Sequence, residues 1–499
     1  MTFLGEPYTQ EVMGMDAATI LRIRPALTEY LHEFDGCLGR VTNRVHLAAY
    51  VTGQLSDLDR KSIEPMADAA GVPPRTLQEF LGLLKWDESA ARDRLQRRVA
   101  RRHGHPHSVG IIDETTCVKK GDHTACVQKQ YCGAVGKLEN CVATVHLGYA
   151  AGDFHTLLDG ELFMPEAWGS DAARRRKAGI PDDVVHRPKW GIALGQVRRA
   201  LGNGVRFAWL TFDEGYGGKP PFLRAIDALG QHYVAEIPKS FVGWTVEPEV
   251  LYREHARDKG MGRPRKMPRL KVRNTPFAEV GEILKHSPIL RRAPWEKYRV
   301  KDGEKGPMVW EAKCIPFWIK DENGLPSRPH RLIIARGVLN PDEVKFFLSN
   351  APASVPVETL LLVAFSRWRI ERLFEDSKTE LGLDHFEVRH WRSIARHLIA
   401  TCISHLFLAE FRQTHREKKS GPDHRPTADR HASPRAAVVA RRPLLQNTSR
   451  IPRRATDPNA GAKRRCPALA SQTNHPPFTR HRHQTQRPAH VQMAQNVAL

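Results

Sequence analysis

This chain of 499 residues has no Cys-x-x-Cys pair and no apolar run that reaches the roughly 18 residues of a membrane span. Its N-terminus lacks a basic-then-apolar leader. The missing span argues against a membrane protein, and the missing leader against secretion. The expectation is a cytoplasmic protein whose eight cysteines are reduced thiols. Cys117, Cys126, Cys132 and Cys141 cluster, but their spacing does not suit a zinc ribbon, so buried thiols are the better reading. Negative charge is also short: 55 acidic side chains stand against 77 lysines and arginines, for a net charge of +22 and a pI near 9.8. A surplus of that size suits a polyanionic partner, because phosphate contacts release counterions.

The chain divides by pattern. Residues 1–105 read as an all-helical domain, with apolar positions three and four apart in Ile20–Leu31 and Val45–Leu55. Pro65–Leu81 outlines two helices about a turn at Gly71, with Arg75 and Gln78 near the start of the second. That is a helix-turn-helix outline, open equally to a DNA-binding role and to plain helix packing. The arginine-rich run Arg92–Arg102 is either a solvated helix face or a phosphate-contacting stripe. From 106 to 238 the order is three strands, helix, strand, helix, strand. A β-rich insertion follows at 239–350, with strand-like pieces at Met308–Ile315 and Arg331–Ala335. Residues 351–412 supply the last helices, the first of them a long helix over about 356–382. The tail, 413–499, has no sustained period and few large apolar residues, and it carries +13 of the charge by count, so it reads as disordered.

Three acidic stretches carry the chemistry. Ile111–Thr116 sets Asp113 at the end of an apolar run, and Trp209–Gly217 does the same for Asp213. Arg367–Lys378 sets Glu371 on a helix, with Arg367 one turn before it and Lys378 two turns after. At about 100° per residue these three fall within about 40° of one another, beside an apolar stripe of Ile370, Phe374 and Leu381. Two strand-borne aspartates and a helical glutamate can hold a pair of Mg2+ ions, with Mn2+ able to substitute. The element order is that of an α/β, ribonuclease H-like catalytic core with the insertion before its last helix. There the first and fourth strands are neighbours, so Asp113 and Asp213 should converge. Glu114 and Glu214 are alternative carboxylates, and Glu114 should point away from Asp113 because strand side chains alternate.

These residues resemble the DDE transposases of bacterial insertion sequences, over about residues 15–415. The last helix is similar to the Tyr-Arg-Glu-Lys signature: Arg367, Glu371 and Lys378 keep its spacing, while Ala364 stands at the Tyr position, with Phe365 and Trp368 nearby. Glu380–Arg389 and Gln130–Lys137 look like the insertion-sequence seven-hundred-one type. The resemblance implies cut-and-paste DNA transposition by a cytoplasmic, bacterial nucleoid-associated protein, with double-stranded DNA (transposon inverted-repeat ends and target DNA) as partner and a homodimer on DNA. It implies that Asp113 bridges both ions, that Asp213 and Glu371 each complete one site, and that Arg367 and Lys378 grip backbone phosphates or stabilise a displaced base next to the cut. Gly260–Lys266 in the insertion, with Arg263 and Arg265, can lie in an A·T-rich minor groove or form a solvated loop. Two other classes stay open: a DNA-binding protein without catalysis, and a ribonuclease H-like nuclease that cuts but does not join.

Overall fold

The computed structural model of the chain describes residues 17–251, 267–272, 274–303 and 306–419. The N-terminal helices are α1 (Ala17–His32), α2 (Asp35–Leu38), α3 (Val41–Leu55), α4 (Ile63–Ala69), α5 (Pro74–Gly82) and α6 (Glu88–Arg102). Pro74 opens α5, where its missing N–H has no partner to lose, and the Asp87 side chain caps α6 by accepting from Ala90 N. Strands β1 (Val109–Val118), β2 (Gln128–Cys132), β3 (Lys137–Ala151) and β4 (Phe154–Leu162) come next. Helices α7 (Glu166–Gly169), α8 (Ala172–Lys177) and α9 (Lys189–Gly202) lead to β5 (Trp209–Phe212), α10 (Glu214–Gly217), α11 (Pro220–Ala228) and β6 (Tyr233–Ile237).

One mixed sheet of ten strands organises the described residues. Its core follows the expected order. β1 pairs β5 in parallel, β5 pairs β6 in parallel, and β3 and β4 continue antiparallel from the other side of β1. The sequence reading missed β2, which pairs β3 at the sheet edge. It falls on the Gln130–Lys137 motif.

The insertion region has short paired strands, β7 (Val242–Gly243) with β10 (Ala278–Glu279) and β8 (Val250–Leu251) with β9 (Arg269–Leu270), and helices α12 (Val280–His286) and α13 (Pro288–Arg292). Its longer strands are β11 (Glu296–Gly303), β12 (Gly306–Phe317), β13 (His330–Gly337) and β14 (Val344–Ser349). They form no separate layer. β14 pairs antiparallel with β6, so the insertion extends the catalytic sheet. The Gly260–Lys266 motif, with Arg263 and Arg265, lies outside the described residues.

The expected long helix over about 356–382 is two helices, α14 (Val357–Phe365) and α15 (Trp368–Thr379). The break has a local cause. The Ser366 hydroxyl donates to Val363 O at 2.7 Å, and the amides of Ser366, Arg367, Arg369 and Ile370 all reach carbonyls three residues back. A hydroxyl that takes a helical carbonyl and a run of tight turns together end one helix and start the next. α15 then lies close on the sheet. A methyl group at Gly148 of β3 would stand 2.8 Å from Leu373 and 3.0 Å from Ile370.

Helix α16 (Trp391–Lys419) runs seven residues past the point where the tail was expected to begin; the tail from 420 lies outside the described residues. Over Trp391–Thr414 this helix is long and apolar enough to cross a membrane by composition alone, against the expectation, yet 72% of its most apolar window is buried inside the protein. That is the pattern of a core helix. α3 is bound to it by buried polar pairs: Tyr50 Oη with His397 Nδ1 at 2.8 Å, and Gln54 with Thr401 and Ser404 at 2.9 and 2.8 Å. Residues of α1–α6, of the sheet and of α14–α16 share one hydrophobic core. A second, smaller core around Trp168 holds the buried thiols Cys117 and Cys126.

Candidate active site

Strand alternation sets the two faces of β1. Gly148 pairs with Ile111, so Ile111 and Asp113 face α15, while Glu114 faces the other way as expected. Asp113 Oδ2 accepts from Arg367 Nη1 at 3.2 Å, and its Oδ1 accepts from Glu114 N at 2.8 Å. Glu114 is ion-paired with Lys189 at the start of α9 and accepts from Tyr216 Oη at 3.3 Å.

Phe212, the last residue of β5, stands opposite Ile112 of β1, so Asp213, just past the end of β5, lies next to Asp113 in the middle of β1. Asp213 also caps α10, its Oδ1 accepting from Gly215 N at 3.0 Å and Tyr216 N at 3.3 Å. Burial raises the Asp113 carboxyl from 3.8 to about 7, and repulsion from Asp213 adds to it, against the pull of Glu114 N–H and Arg367. Burial also raises Asp213, with Arg367 and the capping amides opposing. Desolvation and like charge here outweigh the one guanidinium at hand. A divalent cation would supply the missing positive charge, so the pair fits one.

A third carboxylate stands at the same edge. Ala235 of β6 is opposite Phe212, which places Glu236 next in the row. Glu236 accepts from Lys345 Nζ at 2.8 Å and lies 3.7 Å from Arg367 Nε. Sequence reading missed it. The only signal was one acidic residue in the strand Tyr-Val-Ala-Glu-Ile, which alone does not reveal its neighbours.

The helical residues are placed in part as expected. Arg367 sits at the junction of α14 and α15 on Asp113, and Lys378 Nζ donates to Thr116 O of β1 at 3.4 Å. Glu371 lies between them on the helix but is exposed. Among the described residues no three acidic, histidine or cysteine side chains stand close enough to hold a metal ion. The structure thus joins Asp113, Asp213, Arg367 and Glu236, and leaves Glu371 outside that group. Ala364 is buried, and Phe365 packs on Trp310 and Phe347 at ring distances of 4.7 and 5.7 Å, which commits it to the core. Trp368 is exposed.

A cleft of about 550 Å³ opens beside the carboxylates, lined by Glu114, Asp213, Trp190, Tyr216, Lys189 and Lys219. On α5, Arg75 and Gln78 are both exposed, and Arg75 Nε donates to Glu79 at 2.7 Å. They line a larger cavity of about 800 Å³ with Arg389, His390 and Arg392. The arginine run needs correction. Arg92 is buried against Asp159 at 2.8 Å, and Arg98 is buried between Glu33 and Glu410. Both are internal counter-ions, which leaves Arg97, Arg101 and Arg102 as the exposed members of the run.

The sequence of this chain matches the model of the family described as DDE superfamily endonuclease over residues 33–307, more than half its length. The match contains Asp113 and Asp213 and stops before Glu371. A probable transposase for insertion sequence element IS701 from Microchaete diplosiphon is 31% identical over 208 residues, 41% of this chain and 50% of that protein. The chain therefore spans about half the length of the curated relative it matches. Two partly buried aspartates on neighbouring parallel strands of a mixed α/β sheet, inside a family match of this extent, lead to one assignment: the chain belongs to the DDE superfamily endonucleases.

Proposed function

We propose that this protein is an insertion-sequence transposase that cleaves the ends of its element and joins them to target DNA. The observation that carries the reading is the partly buried pair Asp113 and Asp213, whose charges, among the described residues, are faced by the Arg367 guanidinium. Bound by Asp113, Asp213 and Glu371, Mg2+ or Mn2+ ions would polarise the scissile phosphate and stabilise the attacking and leaving oxygens. The chain's own residues supply the rest. Asp113 and Asp213 are fixed by backbone amides, so their carboxylates are aimed before substrate arrives. Exposed Glu371 would join them when α15 shifts toward the strand ends. Arg367 and Lys378 flank it on the same helix and would hold the backbone phosphates beside the cut.

The net charge of +22 supports duplex DNA as the partner. Arg75 and Gln78 on α5 are the proposed reading residues, with Arg263 and Arg265 in the insertion as further DNA contacts. A homodimer assembled on DNA and a place on the bacterial nucleoid in the cytoplasm complete the proposal. The test is a cleavage and strand-transfer assay on DNA ending in the inverted repeats that flank the coding frame. Mg2+-dependent nicking at the repeat ends, lost in Asp113→Asn and Asp213→Asn with end binding retained, is the expected result. Nicking without joining of pre-cut ends would make the protein a nuclease only. Binding without nicking would make it a DNA-binding protein.

A further inference from the structure

Three carboxylates stand in one row across neighbouring strands, and one guanidinium spans two of them. Arg367 donates from Nη1 to Asp113 at 3.2 Å, while its Nε lies 3.7 Å from Glu236 Oε2. Glu236 Oε1 is in turn held by Lys345 of β14 at 2.8 Å. The charges alternate in a row from the insertion to the site: Lys345, Glu236, Arg367, Asp113, with Asp213 beside it. All four side chains in the row are mostly buried, so water screens them less than it would a surface pair.

Any cation that takes Asp113 must compete with Arg367 for it. Glu236 changes the terms of that competition. A guanidinium leaving Asp113 for bulk solvent loses a charge-assisted bond outright, whereas one that shifts onto Glu236 replaces it. Arg367 already straddles both carboxylates, so only a small movement separates the two arrangements. Lys345 weakens the attraction by claiming one Glu236 oxygen, which gives the insertion a direct electrostatic link to the site.

We propose that Glu236 is a positioning residue: it draws Arg367 off Asp113 and so opens that carboxylate to a divalent cation, with Lys345 of the insertion setting how strongly it does so. This rests on the proposed cation-dependent role of Asp113 and goes beyond it by naming the side chains that govern access.

The probe is Mn2+ alone, its binding to the full chain followed by electron paramagnetic resonance of the free ion without DNA. Glu236→Gln should weaken Mn2+ binding about three- to tenfold, the range one partly screened charge pair supplies. Arg367→Gln should tighten it. In the Arg367→Gln background, Glu236→Gln should have no further effect, since the competitor is gone. Lys345→Gln should tighten binding more in the parent chain than in Arg367→Gln, and it keeps the idea testable if Glu236→Gln fails to fold. An equal loss from Glu236→Gln in both backgrounds would make Glu236 a ligand or a plain neighbouring charge and would overturn the proposal. So would an Arg367→Gln chain no tighter than the parent. Binding that ignores Asp113→Asn sinks the cation reading of the site itself. Binding that needs Asp113 but ignores Glu236 sinks only this inference.

Discussion

Replacing Asp113 by Asn should stabilise the protein at pH 8 while removing a residue on which the proposed chemistry depends. The carboxyl titrates ordinarily at 3.8 and in the fold at about 7, because burial penalises its charged form and Asp213 repels it. The folded chain thus holds this proton more tightly than the unfolded chain does. Between 3.8 and about 7 folding takes up a proton, so stability falls as pH rises through that window. Above about 7 the full cost is present. At about 1.4 kcal/mol per pH unit the gap comes to about 4 kcal/mol. Asn imitates the neutral form and keeps an Oδ1 for the Glu114 amide. Some of the gain is lost because Asn cannot match every contact of a protonated carboxyl, which leaves on the order of 2–4 kcal/mol. A chain of this size need not unfold in one step, so the readout is the calorimetric melting midpoint of the transition that contains the sheet. With chelator present, Asp113→Asn should melt a few degrees above the parent at pH 8. The advantage should shrink steadily from pH 7 to pH 5. An Asp113→Asn chain that melts at or below the parent at pH 8, or an advantage that does not change with pH, would refute the reasoning.

Other expectations follow from the same geometry. Mg2+ should raise the melting midpoint of the parent and leave Asp113→Asn and Asp213→Asn unmoved, by ligand linkage; equal shifts in all three would put the cation elsewhere. Glu371→Gln should abolish strand cleavage with melting unchanged, because the side chain is exposed; retained cleavage would move the assignment to Glu375, one turn on. Gly148→Ala should cost about 1–3 kcal/mol by overpacking and slow cleavage, since its methyl would press α15 off the sheet. An unchanged melt would mean that Ile370 and Leu373 give way freely. Arg98→Ala should cost about 3–5 kcal/mol by leaving Glu33 and Glu410 without their shared cation, whereas Arg97→Ala should leave melting alone and make the salt dependence of DNA binding shallower. Calorimetry and binding titrations at several salt concentrations separate the two.

What was legible in the sequence was what a single strand or helix determines. An apolar run that stops at an acidic residue predicts a strand with a carboxylate at its end; β5 behaves that way, while β1 carries Asp113 in its middle and runs on to Val118 because β3 goes on pairing with it. Helical spacing put Arg367, Glu371 and Lys378 on one face; Arg367 and Lys378 contact β1, and Glu371 is exposed. What stayed hidden depends on which elements become neighbours. Glu236 became part of the site only because β6 lies beside β5, and Lys345 only because the insertion continues that sheet. The arginine run misled for the same reason. Arg92 and Arg98 look solvated until Asp159, in β4, and Glu410, in α16, come to meet them. A buried charge is tolerated only with its partner, and the partner is far away in sequence.

The broken helix bears most directly on mechanism. Had residues 356–382 formed one rod, the position of Glu371 would follow from how α14 packs, and α14 packs toward the insertion through Phe365 and Trp310. The turn at Ser366 and Arg367 removes that rigid linkage. The seat of α15 is then set locally, by Ile370 and Leu373 against Gly148, by Phe374 against His146, by the Arg412 ion pair to Asp376 and by the Lys378 contact with β1. A short helix seated on contacts of its own can shift without carrying α14 along with it. Arg367, at the pivot, is the residue that touches Asp113. Its release from that carboxylate and the approach of Glu371 are therefore movements of the same short helix, and one event can drive both.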